Sequence, residues 1–220
     1  MKSKIPALLL VVCLLAGCYA PAGRGTFYFN PKKVARSIEP SRDYPRTLAE
    51  LEQRTKYEYN SSELKPTAVI FQCVVSGPSI NRLPPPPEER DPSVAYATEH
   101  VLTPVTVTKI LYAGKDVYLT AGKDYYVAEP FHYITEEDPI NLEYYDYGTA
   151  VLYGYYPMQR NHTYLVFGNY EHNKAFDYQG EKIIHPVTFE GVMCVSEEAV
   201  TPTTNENFWQ LWKEAMEKYG

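Results

Sequence analysis

Histidines, serines and carboxylates are the side chains in this sequence that could perform catalysis or bind a metal. The histidines occur at five positions, which are His100, His132, His162, His172 and His185. None belongs to an HExxH or HxH motif or to a His-x-x-Glu pair, the spacings that bring zinc ligands together. The serines lack the GxSxG motif of a nucleophile elbow, and no two acids are placed as a glycosidase pair. The sequence therefore predicts no catalytic residue, no metal site and no cofactor.

Cys73 and Cys194 lie in apolar, strand-like segments near the two ends of the predicted folded part. Outside the cytoplasm such a pair can form a disulfide, which would stabilise the fold by about 4–5 kcal/mol in the chain-entropy model. They could instead be two separately buried thiols that act as small hydrophobic side chains. Both interpretations stay open, because the sequence gives no distance between the two residues. A Cys₄ zinc site is excluded, since no CxxC motif occurs.

A cluster of acids and tyrosines is the strongest candidate for ligand binding. After the acids at 136–138, the chain continues with Glu143, Tyr144, Tyr145, Asp146 and Tyr147, which we name the acidic tyrosine loop. Aromatic faces flanked by carboxylates suit sugar rings, through stacking, or cationic peptide segments, through cation–π contacts. The alternating acids of a DxDxDG calcium loop are absent. We predict that this loop binds a ligand. The alternative is a solvated loop whose tyrosines cover the folded core.

The N-terminus has the pattern of a secretory signal. Lys2 and Lys4 precede an apolar run over 5–15, which is too short for a permanent membrane-spanning helix. The next residues complete the sequence LAGC over 15–18, which resembles the lipobox of bacterial lipoproteins. That resemblance implies that the Cys18 thiol receives a diacylglyceryl group and that residues 1–17, the signal peptide, are removed. The alternative is an ordinary secretory signal with a chance cysteine.

The net charge bears on how the chain is held at a membrane and on its partners. Without Lys2 and Lys4, 19 basic residues oppose 27 acidic ones, a formal charge of −8 on 220 − 17 = 203 residues. Anionic headgroups repel such a chain, so two acyl chains on Cys18 must hold it. We expect it on the outer face of the bacterial cytoplasmic membrane, or at the outer membrane in a Gram-negative cell. A basic groove for nucleic acid is excluded, and we expect no nucleic-acid partner.

The composition favours a β-rich domain. The chain has 21 Tyr and 18 Pro against 8 Phe and 2 Trp; Tyr suits strand surfaces and Pro interrupts helices. Residues 18–45 lack a periodic apolar pattern and predict an extended tether, followed by a single domain over 46–220. A capping box over 47–50 predicts a short helix over 47–58. A second capping box over 203–206 predicts a helix to about Lys218, whose apolar face we expect to cap the open end of the β-core.

Strands account for most of the remaining elements. The β-branched run 68–75 predicts a strand buried on both faces. Further strands are predicted at about 94–112, with a bulge or a strand edge at Lys109, and at about 149–155, 163–170 and 182–195. The proline-rich segment 83–92 predicts an exposed loop, and the AGKD repeat at 113–116 and 121–124 predicts turns. The predicted fold is mainly β: a small Greek-key, OB-like barrel with long loops and two peripheral α-helices.

Part of the sequence resembles a group of OB-fold-like envelope proteins of Gram-positive bacteria. The resemblance rests on the strand 68–75, on PVTVTKILYAGKDVYLTAGKDYYV at 104–127 and on GYYPMQRNHTYLVFGNY at 154–170. It covers about half the chain with strand and turn patterns. The same fold occurs in the inhibitory domain of tissue inhibitors of metalloproteinases. The zinc-chelating N-terminal cysteine of that domain has no free counterpart here, because Cys18 would be acylated. The resemblance implies binding more than catalysis.

These observations predict a lipid-anchored binding or interaction module of the cell envelope without catalytic activity. The membrane is the expected partner through acylated Cys18, with an envelope glycan or protein as the ligand. The alternative is an envelope hydrolase or metal-dependent enzyme whose site is not visible in the sequence. A deep pocket with converging titratable groups of shifted pKa would favour the enzyme. An exposed aromatic surface would favour the binding module, and a broad apolar patch a structural role in an assembly.

Overall fold

The computed structural model of the chain describes residues 25–36, 43–82, 100–136, 143–152, 154–171, 183–199 and 206–220. The predicted signal peptide, Cys18, the proline-rich loop 83–92 and the start of the second capping box lie outside the described residues. The strands are β1 (Thr26–Phe27), β2 (Val34–Arg36), β3 (Ala68–Val75), β4 (Ser79–Arg82), β5 (His100–Ala113), β6 (Asp124–Glu129), β7 (Phe131–Tyr133), β8 (Ala150–Leu152), β9 (Thr163–Glu171), β10 (Ile183–Pro186) and β11 (Val192–Cys194). The helices are α1 (Leu48–Lys56) and α2 (Phe208–Tyr219).

Five of these strands close into a barrel. The order is β5-β3-β9-β10-β6, and β6 pairs back onto β5. All the neighbours are antiparallel except β10 and β6, which are parallel. Counted along the chain, the barrel strands follow the order 1-2-3-5-4-1, which is the Greek-key order of an OB-fold. The mainly β fold class is confirmed: the described part of the chain forms a small barrel with two helices.

The long strand β5 makes this closure possible because it bends. It pairs with β3 over 105–113 and with β6 over 101–106. The β3–β5 register shifts on either side of the pair Gln72–Lys109. At such a shift one strand has an extra residue opposite its partner, which bends the strand and increases its twist. Of the bulge and the strand edge that the sequence leaves open near Lys109, the structure shows a bulge, and it lies in the part of β5 that pairs with β3, just beyond the residues that pair with β6.

Side chains alternate along β3 between two apolar clusters. Val69, Phe71 and Cys73 point into the barrel, where they pack among interior residues from β5, β6 and β9. Ile70 points outward and packs with residues of α1 and α2. All four side chains are fully buried, so the prediction of a strand buried on both faces is confirmed. A strand must carry apolar side chains on both faces when one face lines the barrel interior and the other packs against helices.

Helix α1 begins at the predicted N-cap Thr47, but the return hydrogen bond of the capping box goes to the preceding residue, Arg46. The Glu50 amide donates to Thr47 Oγ1 at 3.2 Å, and Glu50 Oε2 accepts from the amide of Arg46 at 2.7 Å. The Leu48 amide donates to Glu214 Oε2 at 3.0 Å, which links α1 to α2. No helix in the described part of the chain has the length and apolar character needed to cross a membrane.

Helix α2 has the predicted apolar face but a different position. Its buried residues pack against outward-facing residues of β3 and β9 and against Met193 of β11. The helix therefore covers an outer face of the barrel, and the expectation that it caps the open end is wrong. The physical reason is that β3 and β9 are apolar on both faces, so their outer face needs a cover.

Part of the predicted tether belongs to the folded unit. Strand β1 pairs with β4 and strand β2 pairs with β8. Phe27, Phe29 and Val34 pack against a cluster formed by β5, β7, β8 and Tyr155. Over 25–36 the tether interpretation is therefore wrong. Strands of two or three residues are too short to show a period in sequence, and their pairing partners are far along the chain.

Candidate functional site

The acidic tyrosine loop lies at the surface between β7 and β8. The exposed fractions are 72% for Tyr144, 43% for Tyr145 and 48% for Tyr147. Glu143 and Asp146 are exposed as well. The loop thus presents three aromatic side chains and two carboxylates to solvent.

The base of the loop is fixed on the β7–β8 hairpin. The amide of Gly148 donates to the carbonyl of Ile134 at 2.8 Å, and the amide of Ile134 donates to the carbonyl of Thr149 at 2.9 Å. Gly148 has φ +77°, a conformation that favours glycine, and a Cβ there would lie 3.1 Å from the Phe27 ring. The Phe27 ring also contacts Tyr147, with centroids 5.5 Å apart. The loop is therefore held by backbone hydrogen bonds and by an aromatic contact with β1.

A second cluster surrounds the buried carboxyl of Glu129 at the end of β6. Oε1 accepts from Tyr155 OH at 2.8 Å and from the Met158 amide at 2.7 Å. Oε2 contacts Thr103 Oγ1, which lies 2.8 Å from Ser79 Oγ. Glu129 is 0% exposed. The cluster therefore joins β4, β5 and β6 to the segment 155–158, which precedes β9.

Burial dominates the electrostatics of this cluster. Desolvation raises the pKa of Glu129 to about 7, although hydrogen bonds from Thr103, Met158 and Tyr155 act in the opposite direction. Desolvation, followed by the charge of Glu129, also raises the pKa values of Tyr133, Tyr155 and Cys73 above their usual range. Near neutral pH these three groups stay protonated, whereas the neutral and the ionised form of Glu129 are both populated.

Sequence reasoning missed Glu129. The signal that could have found it is a single acid inside the run Val127-Ala128-Glu129-Pro130-Phe131, where a strand is otherwise apolar. A buried acid needs hydrogen-bond donors, but its donors come from residues 26 and 29 positions along the chain. Their convergence on one carboxyl becomes visible only in the closed barrel.

The two cysteines are buried free thiols in this structure. Cys73 on β3 and Cys194 on β11 both pair with Tyr164 of β9, from opposite edges of that strand. Two strand spacings separate their Cα atoms by about 10 Å, and a disulfide spans at most about 7 Å. Of the two interpretations that the sequence leaves open, this geometry favours two separately buried thiols.

We expect Cys73 and Cys194 to resist alkylation in the native chain and to react fully in urea. Desolvation raises the pKa of both thiols, and the thiol form is a poor nucleophile. Mass spectrometry of non-reduced digests, with and without urea during alkylation, measures both properties. A peptide pair linked through Cys73 and Cys194 would contradict the strand register described above.

The described histidines do not form a metal centre. His132 is in β7, His185 is in β10, and His162 lies in the turn before β9. No group of three or more His, Cys, Asp or Glu side chains that could hold a metal ion occurs among the residues that the structure describes.

Comparisons of the chain with protein-family models, with curated proteins and with solved structures found no match.

Proposed function

We propose that the chain is a lipid-anchored binding module of the bacterial cell envelope and that the acidic tyrosine loop contacts its ligand. In this proposal acylated Cys18 holds the chain on the outer face of the cytoplasmic membrane, or at the outer membrane of a Gram-negative cell. The observation that carries the proposal is the exposure of Tyr144, Tyr145 and Tyr147 beside two exposed carboxylates. Aromatic side chains usually lose exposure on folding, so three exposed ones on a fixed loop support a binding role.

The side chains of the loop suit two ligand classes of the envelope. Tyrosine rings stack on sugars, and carboxylates accept hydrogen bonds from sugar hydroxyls. The same rings and carboxylates attract Lys or Arg side chains of a protein partner. We expect no nucleic-acid ligand, because phosphates would be repelled by Glu143 and Asp146 and by the overall charge.

The short distance along the chain from Cys18 to the fold supports a ligand close to the membrane. The described fold starts at Gly25, and 25 − 18 = 7 residues follow Cys18 up to that point. Seven residues span at most about 25 Å. Phe27, two residues further on, contacts Tyr147 of the loop. The loop therefore adjoins Phe27, which follows Cys18 by nine residues, and acylation of Cys18 would keep the loop near the lipid surface.

We expect the double variant Tyr144→Ala/Tyr145→Ala to bind about 5- to 30-fold more weakly, because each exposed aromatic contact contributes about 0.5–1 kcal/mol. The measurement is binding of the full chain to two probes, protein-free cell-wall glycan and a Lys/Arg-rich peptide. Peptide binding through charge should weaken as salt is raised, whereas stacking on sugars should not.

The matched control for this experiment is Tyr118→Ala, since Tyr118 is 66% exposed in a different loop. It should bind as the wild type does. Unchanged affinity of the double variant would refute the role of the loop. Failure of both probes to bind the wild-type chain would refute the proposed ligand classes.

An envelope hydrolase is the second candidate, and Glu129 is the observation that favours it. A carboxyl with a pKa of about 7 suits a general acid. However, the carboxyl is fully buried and its oxygen atoms contact Thr103, Tyr155 and Met158. A substrate could reach it only after these contacts are broken, so we place this function second.

A further inference from the structure

The carboxyl of Glu129 is a point at which several parts of the barrel meet. Glu129 is the last residue of β6. Its carboxyl contacts Thr103 on β5 and accepts two hydrogen bonds from the segment 155–158. Tyr155 and Met158 are both almost fully buried. The ring of Tyr155 also packs on Phe131, with centroids 6.3 Å apart. The segment is therefore held on the barrel by two hydrogen bonds to one acid, in addition to the apolar packing of Tyr155 and Met158.

The hydrogen bonds around Glu129 can accommodate either protonation state. Oε1 accepts from a tyrosine hydroxyl and a backbone amide, and the amide can only donate. Oε2 faces the hydroxyl of Thr103, which can either donate or accept, and Thr103 in turn contacts the hydroxyl of Ser79. When Oε2 carries the proton, it donates a hydrogen bond to the Thr103 hydroxyl, which then donates one to Ser79. An ionised carboxylate instead accepts from Thr103.

Among the residues that the structure describes, the titratable groups that face Glu129 from the surrounding elements are all acids. They are Cys73 on β3, Tyr133 on β7, Tyr155 on the segment 155–158 and Tyr164 on β9. None of these four groups carries a positive charge at any pH. When Glu129 is ionised, they therefore leave its charge without compensation by a cation, in a site from which water is excluded.

We propose that Glu129 is a proton-controlled latch: the segment 155–158 is closed most stably when the carboxyl is neutral, and loss of the proton loosens it, because burying the charge with no facing cation outweighs the stronger hydrogen bonds that a carboxylate accepts from Tyr155 and Met158. The latch does not depend on the ligand of the acidic tyrosine loop. It would operate whether or not that loop binds anything.

The sign of the pH dependence follows from the direction of the pKa shift. Burial raises the pKa of Glu129 from 4.5 to about 7 in the closed state, while an opened, hydrated segment returns it towards 4.5. Between these values the closed state binds more protons than the open state. Opening therefore becomes easier as the pH rises, by up to about tenfold per pH unit within this window. Below the window the opening constant does not change with pH.

Hydrogen exchange of the full chain measures this directly. The amide of Met158 donates to Glu129, so a peptide that spans 154–158 reports on the latch. After correction for intrinsic exchange, we expect its opening constant to rise on the order of 10- to 100-fold between pH 5 and pH 8. Glu129→Gln cannot ionise and should remove this pH dependence. Glu136→Gln, which changes an exposed acid, should behave as the wild type.

A second measurement keeps the test decisive if Glu129→Gln fails to fold. The ¹³C shift of the Glu129 carboxyl in the wild-type chain should titrate with a midpoint near 7. A midpoint near the ordinary value of a glutamate would overturn the latch. So would a pH-independent opening constant in the wild type, or the same pH dependence in folded Glu129→Gln.

Discussion

A chain that carries Cys18→Ser is expected to lose its acyl chains and, where its signal peptide is removed at another site, to leave the membrane fraction completely. The reason is that the hydroxyl of serine does not replace the thiol that lipidation requires. Two acyl chains contribute about 0.8 kcal/mol per buried CH₂, and an acidic chain has no basic patch to replace them. Partitioning in a non-ionic detergent and the mass of the N-terminal peptide measure the two effects.

Cys13→Ser is the matched control, because Cys13 lies in the apolar run ahead of the LAGC sequence. It makes the same chemical change five residues earlier and should leave the chain in the detergent phase. If Cys18→Ser partitions as Cys13→Ser does, the lipobox interpretation is refuted and an ordinary secretory signal remains. The proposed position of the acidic tyrosine loop near the membrane would then lose its support.

The features of the fold that local sequence determines were predicted well. The N-cap that begins α1 depends on side chains within a few residues of Thr47, and the structure confirms that Thr47 accepts from the Glu50 amide. The segments 68–75 and 163–170 are mostly apolar or aromatic, and they appear as β3 and β9 with nearly the predicted bounds. Their length and β-branched residues carry the signal, so no knowledge of the partner strands was needed.

The features that depend on distant pairing were not predictable in the same way. Closure of the barrel requires β10 to pair in parallel with β6, whose residues lie almost 60 positions earlier. The predicted strand 182–195 is two strands, β10 and β11, separated by a 3₁₀ turn at Phe189–Gly191. The two strands pair with different parts of β9. A hydrophobic run does not reveal such a division.

The same contrast applies to the candidate sites. The acidic tyrosine loop is recognisable because its residues are consecutive, and the structure places them at the surface. Glu129 is a single acid whose importance depends on a backbone amide and on hydroxyl groups of other elements. Sequence spacing contains no signal for such a set, because the chain brings its members together only when the barrel closes.

Phe167→Ala is expected to lower the free energy of unfolding by about 3–5 kcal/mol. Phe167 is fully buried on the outer face of β9, in the cluster that α1 and α2 share. Its ring meets the edge of Tyr219 near the end of α2, with centroids 5.8 Å apart. Removing it would leave a cavity where both helices contact the barrel. Urea unfolding of the full chain, followed by circular dichroism, measures the change.

Two further variants separate this packing effect from a general effect of losing an aromatic residue. Tyr59→Ala removes a side chain that is 90% exposed, so its effect should stay within about 0.5 kcal/mol. Phe167→Leu retains most of the apolar volume and should cost less than the alanine variant.

A loss below about 1 kcal/mol for Phe167→Ala, close to that of Tyr59→Ala, would contradict the packing of the helices on β9. A smaller urea dependence with the same midpoint would instead show that the helices detach before the barrel unfolds. The outer face of the barrel would then be a separate unit of stability.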